Sequence, residues 1–128
     1  MTWLWVVLVV AAAALWIWRS RPVRGVRAIS PDELKALMRD KTSGAQFVDV
    51  REPSEFRGGH VQGFRNIPLG ELPAKSGELK KDKPVVVMCR SGARSAQAAR
   101  WLARHGFQDV RNVTGGILAW NAAKRRSS

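Results

Sequence analysis

Four consecutive apolar residues, Val85 to Met88, stand between Pro84 and a Cys89–Arg90 step. A strand with one wet face alternates apolar and polar residues. An unbroken β-branched run of this length fits a strand covered on both faces, as in a parallel sheet with helices on either side. The neighbouring segments agree. VRAIS (26–30) reads as an edge strand, QFVDV (46–50) as a second strand, RNIPL (65–69) as a third ended by Pro68, and DVRNV (109–113) as a last one. Between them lie helical patterns. Ser30 caps a helix with Pro31 at its first position and Glu33 closing a capping box; Leu34, Leu37 and Met38 give that helix an apolar face. SAQAARWLARHG (95–106) predicts a helix with Ala96, Ala99, Leu102 and Ala103 inward and Gly106 as its stop, and GGILAWNAAKRR (115–126) predicts the last helix. Strands alternating with helices define an α/β domain on a parallel sheet.

The chain has 128 residues, enough for one domain and an appendage. The appendage is at the start. From Thr2 to Trp18 there is no charge, and only Thr2 is not hydrophobic. Such a helix is about 25 Å long, at the short end of what crosses a hydrocarbon core of about 30 Å. Trp3 and Trp5 lie at one end and Trp16 and Trp18 at the other, the placement of interfacial aromatic belts. A cleaved leader is disfavoured: no basic residue precedes the run, and it continues past the alanines at 11–14. The segment 2–18 is therefore expected to be a single transmembrane helix. Arg19, Arg21, Arg24 and Arg27 follow it, which predicts a membrane location with the remainder on the cytoplasmic side. Residues 19–25 read as a basic juxtamembrane linker, 26–122 as the folded domain and 123–128 as a basic tail. The net charge of +12 is spread along the chain without a nucleic-acid motif, so lipid headgroups are the expected partner and nucleic acid is not.

Cys89 is the single cysteine, which rules out an internal disulfide, and the sequence has no zinc-type Cys/His cluster. It sits where a buried strand ends and a helix is about to begin, the edge at which open α/β sheets bind ligands. In CRSGAR (89–94), Gly92 with the small Ser91 and Ala93 lets successive N–H groups point inward as an anion nest. The following helix contributes the positive end of its dipole, and Arg90 and Arg94 contribute full charges able to fork onto an oxyanion. All of these favour thiolate over thiol and depress the cysteine's pKa. An inert buried cysteine requires none of them.

Tyrosine and dual-specificity phosphatases separate their Cys and Arg by five residues; here four lie between Cys89 and Arg94. The loop resembles that of the rhodanese family of sulfurtransferases. Two further segments, DVREPSEFRGGHVQGFRNIPL (49–69) and VRNVTGGILAW (110–120), match that family's signatures in order and spacing, so the resemblance covers about residues 26–122. Phe64–Arg65 departs from it, since many members have a small residue after the glycine.

The resemblance implies a three-layer α/β/α domain and a ping-pong sulfane-sulfur transfer of the thiosulfate:cyanide sulfurtransferase type. It implies Cys89 as the catalytic residue, carrying a persulfide, and Arg90, Ser91, Gly92, Ala93 and Arg94 as the substrate- and persulfide-binding residues. The implied donor is thiosulfate, polysulfide or a protein persulfide, and the implied acceptor a thiol, with no metal or organic cofactor. A tethered interaction module without significant turnover, or a thiol redox sensor, is the alternative. On the family pattern Asp49, Arg51 and Glu55 brace loops beside the site, and His60 fastens a loop.

Overall fold

The computed structural model describes residues 2–20 and 25–126. Five strands form one all-parallel sheet: β1 (Val26–Ile29), β2 (Gln46–Asp49), β3 (Arg65–Asn66), β4 (Val85–Met88) and β5 (Val110–Val113), in the order β1-β5-β4-β2-β3. All four residues of β4 are buried, and Val85, Val86 and Val87 face Val110, Arg111 and Asn112 on one side and Gln46, Phe47 and Val48 on the other. That central position is why the run tolerates no polar residue on either face. β1 is an edge strand, as its polar-flanked sequence indicates.

Successive side chains of β4 divide between two cores. Val85, Val87 and Cys89 join Val48, Val50, Ala98, Ala99 and Leu102. Val86 and Met88 join Ile29, Leu34, Phe64, Val113 and Ile117 on the opposite face. The first core is closed by α4 (Leu72–Lys75) and α5 (Ala93–Arg104), the second by α2 (Pro31–Arg39) and α6 (Gly116–Arg126). The expected capping box opens α2: the Ser30 hydroxyl accepts from the Glu33 amide at 3.1 Å, and Glu33 accepts from the Ser30 amide at 3.2 Å.

Several boundaries differ from expectation. β3 is confined to two residues; beyond it Ile67 and Leu69 still donate to the Asp49 and Val50 carbonyls, but Pro68 between them has no N–H to extend the ladder. The helix expected from Ser95 starts at Ala93, and its buried residues are Ser95, Ala98, Ala99 and Leu102. α3 (Pro53–Arg57) and α4 are short helices with no counterpart in the sequence reading. α6 ends at Arg126, as the helix expected over 115–126 does, and so takes in residues 123–126 of the segment expected as a basic tail.

The apolar N-terminal run forms α1 (Trp3–Ser20), with Trp3, Leu8, Val10, Trp16 and Trp18 each more than 60 % exposed. Its 18 residues extend about 27 Å, short of a hydrocarbon core of about 30 Å. Among the described residues no helix is long and apolar enough to cross a membrane, so the expected transmembrane helix is not supported. Most of the expected linker, residues 21–24, lies outside the described residues.

Candidate active site

Cys89 follows the last residue of β4 and is 1 % exposed, with its side chain on the α5 side of the sheet. The backbone then curls through Arg90 and Ser91 to Gly92, whose φ of 111° lies in the left-handed region where glycine is favoured. This turn aims the Gly92 amide at Cys89 Sγ from 3.0 Å. The Ser95 hydroxyl reaches the same sulfur at 3.3 Å. Burial pushes the Cys89 thiol up. Hydrogen bonds from the Ser95 hydroxyl and from the amides of Ser95, Gly92 and Ser91 outweigh it and hold the thiol below its ordinary value.

Ser95 has one proton and three acceptors. Its oxygen lies 2.6 Å from Asn112 Oδ1, 3.2 Å from the Gly92 carbonyl and 3.3 Å from the sulfur. An anionic sulfur competes for that proton better than a neutral one, because charge-assisted bonds are about twice as strong. Asn112, on β5, also donates to the Gly92 carbonyl at 3.4 Å and so ties the loop to the adjacent strand.

The loop's outward carbonyls are held as well. Ile117 N–H donates to the Cys89 carbonyl at 2.9 Å and Leu118 N–H to the Arg90 carbonyl at 3.2 Å. The first turn of α6 thus spends its unpaired amides on the loop. Gly116 permits this approach: its φ is 58°, and a Cβ there would overlap the Cys89 carbonyl oxygen and come within 2.6 Å of the Arg90 carbonyl. With their carbonyls anchored to α6, the loop peptides turn their amides toward the sulfur.

The two arginines take different roles in the geometry. Arg90 is exposed at the mouth. Arg94 forks onto Glu55, with Nη1 2.7 Å from Oε1 and Nη2 3.0 Å from Oε2. Hydrogen bonding from Arg94 holds the Glu55 carboxyl down at about 2. Ser91 and Ala93 are exposed, Ser91 in the loop and Ala93 at the first position of α5.

The brace beside the site is buried. Arg51 Nε lies 3.0 Å from each Asp49 carboxylate oxygen, and Arg51 Nη2 lies 2.9 Å from Asp49 Oδ2 and 2.8 Å from the Gly59 carbonyl. His60 stacks on Phe56 at 3.7 Å with Nδ1 2.9 Å from the Phe56 carbonyl. Both arrangements fasten the 51–60 segment. Ser95, Asn112 and Gly116 are the site residues that sequence reasoning missed. The hydroxyl directly after Arg94 was a usable signal for Ser95; Asn112 and Gly116 reach the loop only through the tertiary fold.

A buried thiol, a left-handed glycine and inward amides at the carboxyl end of a central parallel strand define a cysteine-centred, anion-cradling α/β protein. The rhodanese-like domain family matches residues 30–123. The chain is 38 % identical over 95 residues to a sulfurtransferase of Allochromatium vinosum, covering 74 % of this chain and 88 % of that one. It is 36 % identical over 83 residues to the thiosulfate sulfurtransferase GlpE of Shewanella oneidensis, covering 65 % and 82 %. The crystal structure of a rhodanese-like domain protein from Staphylococcus aureus superposes with a TM-score of 0.68 at 32 % identity, covering 73 % and 90 %. The chain belongs to the rhodanese-like domain family.

Proposed function

We propose that this protein is a sulfurtransferase that carries one sulfane sulfur on Cys89. The observation that carries this reading is the hydrogen-bonded sulfur itself: Cys89 Sγ, buried at the end of β4, receives the Gly92 amide at 3.0 Å and the Ser95 hydroxyl at 3.3 Å. Relatives named as sulfurtransferases support it.

The Cys89 thiolate attacks the outer sulfur of an anionic donor such as thiosulfate. A Cys89 Sγ–S bond forms, the donor's S–S bond breaks, and sulfite leaves with the bonding electron pair. The new terminal sulfur is anionic and rests among the amides of residues 90–94, while Arg90 draws the donor to the mouth. A thiophilic acceptor, cyanide or a thiolate, then takes that sulfur and returns the electron pair to Cys89, a ping-pong cycle. Arg94 contributes chiefly by holding the loop against α3 through Glu55.

The test is intact-mass measurement of the protein and of Cys89→Ser after incubation with thiosulfate and then cyanide. A gain of one sulfur on the unsubstituted protein alone, removed by cyanide, is expected. No gain with thiosulfate or with polysulfide would overturn the reading.

We extend the proposal to location: α1 attaches the domain to the cytoplasmic surface of a membrane. Its apolar, exposed side chains and the arginines that follow support this. Flotation with anionic vesicles tests the attachment, with loss expected when residues 2–20 are deleted. Protease accessibility in sealed cells tests the side.

A further inference from the structure

Beside the catalytic loop lies an open groove of about 1240 Å³, whose walls come from α2, the 51–63 segment and the first turns of α6. Its apolar lining includes Met38, Phe47 and Trp120, all half-buried, together with Leu118, which is 50 % exposed. The groove is continuous with the loop, because Arg90 lines it and Leu118, on its α6 wall, donates its amide to the Arg90 carbonyl.

Its charges are one-sided. Arg51 is matched within the protein by Asp49. Glu55, the one carboxylate among the described lining residues, is matched by Arg94. Lys41 and Arg90 are both exposed and carry the positive field that an occupant meets. The volume exceeds the range of about 300–1,000 Å³ that suits a small ligand. A small anion or low-molecular-weight thiol would leave most of it empty. A polypeptide segment would fill it.

We infer that this groove docks the sulfur acceptor, and that the acceptor is a protein presenting its cysteine in an acidic segment beside an apolar side chain. The inference rests on the sulfurtransferase reading above and names the acceptor class for that site. The apolar residue packs on Leu118 and Trp120, and the acidic residues meet Lys41 and Arg90. The acceptor thiolate attacks the terminal sulfur of the Cys89 persulfide. A bond forms between acceptor sulfur and terminal sulfur, the bond to Cys89 Sγ breaks, and its electron pair returns to Cys89 as thiolate. No external oxidant or reductant is consumed.

The full chain is loaded with thiosulfate and offered three synthetic peptides with a Cys-Leu centre flanked by glutamate, glutamine or lysine. Peptide persulfide formation is followed by mass spectrometry. The glutamate peptide is expected to react about tenfold faster than the lysine peptide at low salt, with the advantage shrinking as salt screens the field. In Lys41→Glu that advantage is lost. In Trp120→Ala all three peptides slow by about threefold or more as the apolar contact goes. Cyanide discharges the persulfide equally fast in both variants, which shows that their catalytic loops are intact. Equal rates for the three peptides, or a charge preference that Lys41→Glu leaves unchanged, would overturn the inference while cyanide turnover still upheld the sulfurtransferase reading. A protein that forms no persulfide with thiosulfate or polysulfide overturns both.

Discussion

Glu55 and Arg94, 39 residues apart in sequence, form a two-pronged ion pair that joins α3 to the end of the cysteine loop. Both side chains are about one-third exposed, so the pair is partly screened by solvent. Its main effect is to fix the position of the loop's last residue, and it leaves Arg90 as the cation at the mouth of the site.

Glu55→Gln is expected to lower stability at neutral pH by about 0.5–1 kcal/mol, the usual worth of a partly exposed pair. The Arg94 hydrogen bonds hold the carboxyl at about 2, below the ordinary glutamate range. A group depressed on folding stabilises above its unfolded value, and that stabilisation is lost as pH falls through the folded one. The melting difference between the two proteins should therefore be full above about pH 5 and vanish as pH approaches the folded value of about 2. Thermal melts across that range check it; a pH-independent difference would contradict the assignment.

Ser95→Ala removes a hydroxyl that donates to Cys89 Sγ. Because hydrogen bonds to the sulfur lower the thiol against the opposing pull of burial, the thiolate midpoint is expected to rise. Thiolate absorbance followed from pH 4 to pH 10 measures this directly, and alkylation by iodoacetamide should show the same displacement toward higher pH. Asn112→Ala, which takes away the competing acceptor at 2.6 Å, should leave the midpoint the same or lower.

Gly116→Ala places a methyl against the Cys89 and Arg90 carbonyls on a backbone with φ of 58°. Overpacking and left-handed strain together cost about 2–4 kcal/mol. Urea denaturation should show that loss. Cyanide-dependent turnover should fall more steeply than stability accounts for, since the carbonyls that orient the loop amides are displaced. Gly70→Ala, with open space around the Cβ, is the control and should be nearly silent.

Asp49→Asn leaves the Arg51 guanidinium buried without its carboxylate partner. Breaking a buried pair from one side costs about 3–5 kcal/mol. Asp49 and Arg51 are buried, and Asn66 Nδ2 also donates to both of their carbonyls at 2.9 Å. The variant should lose order through residues 49–66, which hydrogen exchange would locate.

The sheet was legible in the sequence because burial on both faces leaves an unmistakable apolar run, as in Val85–Met88. The cysteine loop was legible because a glycine and small residues between two arginines suit an anion cradle, and Arg90 to Arg94 supply them contiguously. What escaped was short or distant. A five-residue helix such as α3 completes too few turns to show a period. In α5 alanines at 96, 98, 99 and 103 fall on more than one side, so the apolar pattern pointed to Ala96 and Ala103, which are only half-buried, and passed over Ala98. The partnerships of Glu55 with Arg94, Ser95 with Asn112 and Ile117 with Cys89 join residues 17 to 39 positions apart, and no local pattern encodes them. The apolar run of α1 was legible as a helix; the span expected of it is not supported, since among the described residues no helix is long and apolar enough to cross a membrane.

The bonds from Ile117 and Leu118 to the carbonyls of Cys89 and Arg90 also set an order of events during synthesis. The thiol leaves the ribosome with β4, yet the peptides around it acquire their orientation only once the start of α6 has been made, nearly thirty residues later. On the sulfurtransferase reading, a nascent or C-terminally truncated domain therefore carries the cysteine without the loop orientation that its proposed chemistry requires.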